Sequence, residues 1–368
     1  MKRTALMTAA LALLVNGPAR AENSVGISGN YYKERSTRVV EPLVQVRQGL
    51  PYDSQVEVTY LVDQITSASG AFTNEDAAFS EFRNEIRVAG STKLWNIFTP
   101  GVSVRYSDEP DYISRGFGVN LAVELFKKST VLSTFFQLAD DDISSKFDPN
   151  YQEELSTQAY GLDVSQVLHK NVVGGLGVQA QVDRGFQENQ YRVELHPRCR
   201  DRYAASAWIR TRFPGAKLTV GGSYRYYSDS WQVRGHSLEL EFNQRIVKGL
   251  EFVPRFRNHT QTGVFFENND SGTSDDRYSG LRECHLDNES QRGGPQQPLV
   301  RFSTDDPKLT TFDAQTYGAK LRWQQRWLRG TFLEAFETAW IEPAYYYFNQ
   351  KNRYGAAHIA QLNFYWPY

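Results

Sequence analysis

Alternation with period two governs this chain. Tyr203, Ala205, Ala207, Ile209, Thr211 and Phe213 form one series, while Arg202, Ser206, Trp208, Arg210 and Arg212 interleave with them. Successive side chains of a strand point to opposite faces, so the stretch reads as a strand with one apolar face and one face in water. Pro214-Gly215 turns the chain, and Leu218, Val220, Gly222, Tyr224 and Tyr226 then alternate with Lys217, Thr219, Ser223 and Arg225. The pattern recurs from Val56 to Val62, Val102 to Tyr106, Phe117 to Leu125, Tyr160 to Val164, Leu176 to Val182 and Leu238 to Phe242. Helical spacing is not sustained anywhere after the first residues, so the fold class is all-β.

Counting segments predicts about 16 strands, within 14–18. They lie near 24–32, 37–48, 55–65, 79–89, 99–108, 115–126, 129–139, 156–168, 172–183, 202–213, 216–227, 231–245, 250–258, 314–327, 331–347 and 355–368. An even count puts both termini on one side, the periplasmic side of a bacterial barrel. The connections at Gly49-Leu50-Pro51, Lys127-Lys128, His169-Lys170-Asn171, Pro214-Gly215, Val247-Lys248-Gly249 and Leu328-Arg329-Gly330 are short. Those near 66–78, 140–155, 184–201 and 259–313 are long and polar, and are expected on the outer face. Nothing about a soluble sandwich demands this alternation, whereas membrane barrels pair short periplasmic turns with long outer loops.

The last segment alternates Ala356, His358, Ala360, Leu362, Phe364 and Trp366 with polar residues and stops on Tyr368. It suits a closing strand that leaves no open edge. The expectation is a transmembrane antiparallel up-and-down β-barrel in the cell outer membrane, one domain over 22–368.

The first residues carry a different message. Met1-Lys2-Arg3, an apolar run from Ala5 to Val15, and Ala19-Arg20-Ala21 are the three parts of a secretory signal peptide, expected over 1–21. The apolar run is about half of the ~20 residues that a spanning helix requires. Aromatic residues reach 14%, which suits rings gathered at the two membrane interfaces. Net charge is -1 and no basic stripe is present, so nucleic acid is not an expected partner.

Several short motifs, in order, resemble the bacterial outer-membrane proteins grouped as domain of unknown function 3570. They are Tyr31-Tyr32-x-Glu34, Asp63-x-Ile65-Thr66-Ser67-Ala68-Ser69, Tyr191-Arg192, Pro197-x-x-Arg200-x-Arg202, and Tyr224-Arg225-Tyr226-Tyr227-x-Asp229-Ser230-Trp231. Arg255 with Gln261, and Ser303-x-Asp305 leading to Leu309 and Gly318, extend the match over nearly the whole chain after residue 21. Asn258-His259-Thr260 stands where aromatic residues would be expected, and the stretch from Glu267 to Phe302 is longer than usual. The resemblance implies the barrel and its location, and brings no substrate.

Alternation sends a polar, mixed-sign set inward. From the earlier segments it comprises Arg83, Glu85, Arg87, Arg105, Asp163, Gln179 and Gln181. From the later ones it comprises Arg210, Arg212, Arg225, Glu239, Glu241, Arg255, Lys320, Arg322 and Asn363. Such a wall can line an aqueous channel and bias what passes, or it can pair with itself and merely satisfy the interior. Sixteen strands enclose more space than side chains fill, which favours water.

Cys199 and Cys284 both fall in expected outer loops, and an oxidising compartment makes a disulfide the leading reading. The alternatives are two free thiols, or a zinc site built from His196, Cys199, Cys284 and His285; no metal is expected. The acidic runs Asp140-Asp141-Asp142 and Asp305-Asp306, with Asp270, Asp275 and Asp276, are read as solvated loops rather than a Ca²⁺ site. Hydrolase, zinc-protease, phosphate-loop and haem motifs are absent, so no enzyme and no cofactor is expected. The functional expectation is a passive channel or transport barrel, whose partners are the lipid bilayer and a small polar solute. The rival is a non-conducting barrel that anchors or assembles with an envelope protein.

Overall fold

The structure is a computed structural model and describes residues 23–35, 37–68, 78–146, 148–188, 194–267, 302–304 and 306–368. Its strands are β1 (Ser24–Lys33), β2 (Thr37–Leu50), β3 (Ser54–Ala68), β4 (Ala78–Thr92), β5 (Phe98–Glu109), β6 (Tyr112–Leu125), β7 (Thr130–Ser144) and β8 (Gln152–His169). They continue as β9 (Val172–Gly185), β10 (Cys199–Phe213), β11 (Leu218–Asp229), β12 (Arg234–Val247), β13 (Leu250–Gln261), β14 (Phe312–Gln324), β15 (Trp340–Gln350) and β16 (Ala356–Pro367). Each strand pairs with its sequence neighbour, and β16 returns to β1 to close a 16-strand barrel. The closing seam is antiparallel and runs from Ser24 opposite Pro367 to Lys33 opposite His358. Every strand thus has two partners and no edge is left unpaired.

Alternation now has a physical meaning. Tyr203, Ile209 and Phe213 of β10, Leu176 and Val178 of β9, and Val102 and Val104 of β5 are large or branched apolar side chains left exposed on the outer wall. An apolar belt of this extent is unfavourable in water and favourable in lipid. From Tyr203 to Phe213 the strand rises ~3.3 Å per residue, and a tilt of ~40° makes the belt about 25 Å tall. Aromatic rings mark its borders. Tyr52, Trp95, Phe126, Trp327 and Phe332 stand exposed among the connections at the end of the barrel that holds Ser24 and Pro367, called here the turn end. Toward the opposite, loop end, Tyr224 and Tyr345 each share a 2.6 Å hydrogen bond with an outward histidine, His236 and His358. A ring with one wet edge favours the interface, so the two rows bracket the lipid-facing zone.

The strand count matches expectation, and the departures lie at the ends of strands. Segment 331–347 was expected as strand, with a turn at Leu328-Arg329-Gly330. Instead, 325–339 is a connection with two 3₁₀ turns, Arg326–Leu328 and Glu334–Phe336, and β15 begins at Trp340. Of the apolar residues that imitate a strand there, Phe336 packs sideways with its ring centre 4.7 Å from that of Trp366, whose Nε1 donates to Ala335 O at 2.8 Å, while Trp327 and Phe332 stay exposed. At the loop end, strands run further than their polarity suggests. The strands flanking the expected loops 66–78, 140–155, 184–201 and 259–313 extend to Ala68 and Ala78, Ser144 and Gln152, Gly185 and Cys199, and Gln261 and Phe312. Asp140-Asp141-Asp142 therefore belongs to β7. Trp231, expected to open a strand, precedes β12. Residues 1–21, expected as the signal peptide, lie outside the described residues.

Candidate functional site

Strand register fixes which side chains share the lumen. Arg83, Glu85 and Arg87 of β4 lie opposite Asp63 and Leu61 of β3 or Ser107 and Arg105 of β5, all on the inner face. Arg210 and Arg212 of β10, Arg225 of β11, Glu239 and Glu241 of β12, Arg255 of β13, and Lys320 and Arg322 of β14 also alternate inward. Asp163, Gln179, Gln181 and Asn363 fall on the same face.

Some of these charges are neutralised where they stand. Arg83 pairs with Asp63 at 3.3 Å, Arg105 with Glu85 at 3.7 Å, and Arg255 with Glu239 at 2.5 Å. Arg322 bridges Glu342 at 2.6 Å and Glu251 at 3.2 Å, and its guanidinium stacks 5.0 Å from the Trp340 ring centre. The rest differ: Arg87, Arg210, Arg212, Arg225 and Lys320 make no ion pair among the described residues. Arg87, Arg210, Arg212 and Arg225 are exposed although they point inward. An inward charge that is both unpaired and exposed requires water in the lumen, because burying it dry would cost several kcal/mol. Two cavities open on this wall: one of 360 Å³ between Arg210, Glu241, Asn243, Lys320 and Arg322, and one of 560 Å³ beside Arg212, Lys217, Arg245 and Lys248.

The loop end holds a second assembly that the sequence did not reveal. Trp231, Val233, Val264, Phe266 and Phe302 form a buried apolar cluster, with Leu309 and Tyr227 packed against it. The members come from the connections before β12 and after β13, and the connection before β10 adds His196, 5.4 Å from Trp231 and 5.3 Å from Phe266 between ring centres. Backbone bonds knit the pieces: Phe265 N–H donates to Trp231 O, Val264 N–H to Leu309 O, and Ser303 N–H to Leu195 O. We call this assembly the lid.

Its base is the lumen wall. The Arg200 guanidinium sits 4.1 Å from the Trp231 ring centre and grips Asp229 Oδ2 at 2.5 and 2.8 Å. Tyr227 donates to the same oxygen at 2.8 Å, while Asp229 Oδ1 accepts from Val233 N–H at 2.9 Å. Trp231 Nε1 donates to Cys199 O at 2.9 Å, and Asp201 N–H to Ser230 Oγ at 3.0 Å. Two motifs at the loop ends of the neighbouring strands β10 and β11, Pro197-x-x-Arg200-x-Arg202 and Tyr227-x-Asp229-Ser230-Trp231, thus meet at one place. Neighbouring Arg198 is tied to Glu153 by two bonds of 2.8 Å, which hold its guanidinium above its usual range. Burial raises Glu267, at the edge of the lid, above the ordinary carboxylate range.

Cys199 is buried in this base and disulfide-bonded. A zinc site built on Cys199 would need its sulfur as a thiolate, which the bonded sulfur is not. Its expected partner Cys284 and neighbouring His285 lie outside the described residues, as do Asp270, Asp275, Asp276 and Asp305. Asp141 accepts from Tyr112, and Asp142 pairs with Arg115 at 2.6 Å, so two acids of the triplet are engaged within the sheet. Glu81, Glu109 and Asp111 come close enough to hold a metal, but Lys146 Nζ approaches Glu81 at 2.5 Å and Asp111 at 3.8 Å. An ammonium already supplies positive charge there.

Solved structures repeat the architecture at very low identity. A structure entitled CdiB from Acinetobacter baumannii shares 9% identity with a TM-score of 0.54, covering 94% of this chain and 60% of that one. The present chain therefore spans about three fifths of the CdiB chain. A bacterial polysaccharide outer membrane secretin shares 8% identity with a TM-score of 0.52, covering 94% of this chain and 98% of that one. No curated protein sequence matches the chain. Closed strand pairing, an apolar belt between aromatic borders, and a charged wet interior describe a barrel of the outer membrane. Residues 72–365 match the family described as Protein of unknown function (DUF3570), and the chain belongs to that family.

Proposed function

We propose that this outer-membrane barrel is a passive channel for small polar solutes, with its loop end facing outward and the lid near the outer mouth. The observation that carries the reading is the set of unpaired, exposed charges on the inner wall: Arg87, Arg210, Arg212 and Arg225 are stable there only in water. A 16-strand cylinder leaves room for that water, as barrels of this size do. The reading assigns no catalytic step to any residue.

The lid favours a second reading. Its core is buried, with Trp231 only 1% exposed, and it stands on inward-facing Arg200 and Asp229. If that cluster blocks the lumen, the barrel would serve as an anchor or assembly component for an envelope protein. Single-channel recording of the refolded protein in planar bilayers separates the two, with the Trp231→Ala variant recorded alongside. Steady current from the unmodified protein supports the channel. Silence from both proteins, each folded by heat-modifiable mobility, refutes it in favour of the anchor.

A further inference from the structure

The charges on the lumen wall are segregated by strand. On β10 to β14 the inner face is basic: Arg210, Arg212, Arg225, Arg257 and Lys320 make no ion pair among the described residues. The acids of that wall are few and mostly held: Asp229 by Arg200, Glu239 by Arg255, and Glu251 by Arg245 and Arg322. Among the described residues of that wall Glu241 alone lacks an ion pair, and it faces Arg255 across the ladder. Around the ring, β12 stands eight strands from β4, which places the β2–β5 wall opposite. There the inner face presents Glu41, Glu57, Asp63, Glu81, Glu85 and Glu109; of its arginines, Arg47, Arg83 and Arg105 are each paired to an acid of the same wall, and Arg87 alone makes no ion pair among the described residues.

Two opposed walls of unlike charge make a field across the lumen. The basic wall also has the space: the 360 Å³ and 560 Å³ cavities both open on it and follow one another from mid-wall toward the turn end. Their cationic lining offers planar guanidinium forks, which match carboxylate and phosphate oxygens two at a time. Asn243 and Thr219 line both cavities and add neutral hydrogen-bonding groups.

We propose that the β10–β14 wall is a binding strip for small anionic solutes, carboxylates or phosphates, from mid-lumen to the turn end. The proposal rests on the reading of a water-filled lumen but not on the lumen being open at both ends. Two measurements keep these apart. The first is the reversal potential of the reconstituted barrel in a KCl gradient. The second is binding of the trisulfonate dye pyranine to the detergent-solubilised protein by fluorescence anisotropy, which needs no current.

Expected are a chloride-over-potassium permeability ratio above one and saturable pyranine binding that weakens as salt rises. In the triple variant Arg210→Gln/Arg212→Gln/Lys320→Gln both should fall at least about threefold, while Glu85→Gln should shift the ratio the other way. Arg115→Gln, on the outer face, should change neither. Heat-modifiable mobility confirms that each variant is folded. Pyranine binding without current would support the strip and refute the channel. Current that prefers potassium, or dye binding unchanged in the triple variant, would overturn the strip and leave the channel standing.

Discussion

Replacing Trp231 with alanine should release the lid while leaving the barrel intact. The side chain is 1% exposed, contacts Phe266 and His196, stacks on Arg200 and satisfies Cys199 O. Truncating a buried tryptophan costs about 3–5 kcal/mol, of which the desolvated guanidinium stack contributes ~0.5–2. Backbone bonds such as Val264 N–H to Leu309 O and Ser303 N–H to Leu195 O remain in the variant, so the prediction is that the cost falls on the docking of the Trp231 segment rather than on the barrel. At ~1.4 kcal/mol per tenfold, the lower bound is a hundredfold rise in the undocked fraction. Amide hydrogen exchange reads this directly. The Phe265 amide donates to Trp231 O and the Ser230 amide to Asp201 O, so both should exchange at least about a hundredfold faster in the variant. Amides in the middle of β10 and β11 should not change. Less than tenfold acceleration at both lid amides would refute the idea that Trp231 holds the lid.

Other perturbations test separate parts of the structure. Asp229→Asn should lower stability by about 3–5 kcal/mol in urea unfolding, since it leaves the Arg200 guanidinium buried without its counter-charge. Gly318→Ala should cost about 1–3 kcal/mol in the same assay, because a Cβ there would stand 2.1 Å from Tyr345 O across the β14–β15 ladder. Unfolded, unreduced protein should take up no maleimide and reduced protein two equivalents, and Cys199→Ser should expose one reactive thiol at Cys284. Hydrogen bonding to Arg329 depresses the Glu337 carboxyl, so the 325–339 contact is complete above the usual carboxylate range and is lost as pH falls through the depressed value. An NMR titration of Glu337 should show this midpoint rise to the ordinary range in Arg329→Gln.

The barrel was legible because its rule is local. In β10 and β11 every second residue reports which face it occupies, and one turn signal, Pro214-Gly215, sets their pairing. The inner wall followed from the same rule, including Arg210, Arg212 and Lys320. Legibility failed where a strand leaves the bilayer. Both faces of β7 near Asp140-Asp141-Asp142 meet water or polar groups, so period two disappears although the ladder continues to Ser144. It failed in the opposite sense at 325–339, where Trp327, Leu328, Phe332 and Phe336 supply strand-like apolarity to a connection that packs on Trp366. The lid was invisible for a third reason: His196, Trp231, Phe266 and Phe302 are scattered over separate connections, and no periodicity relates them. The one available trace was the pair of motifs around Arg200 and Asp229, whose meaning appears only when they touch.

The seam between β1 and β16 has a consequence for how the molecule is made. Its partners, from Ser24 with Pro367 to Lys33 with His358, lie at opposite ends of the described chain, and Tyr368 completes the join through Asn23 O and Gln48 Oε1. Until the last strand docks, β1 and the growing front each carry a full row of unmet backbone donors and acceptors, which hydrocarbon would penalise by several kcal/mol per group. A chain that stops short of β16 would be an open sheet with two adhesive rims.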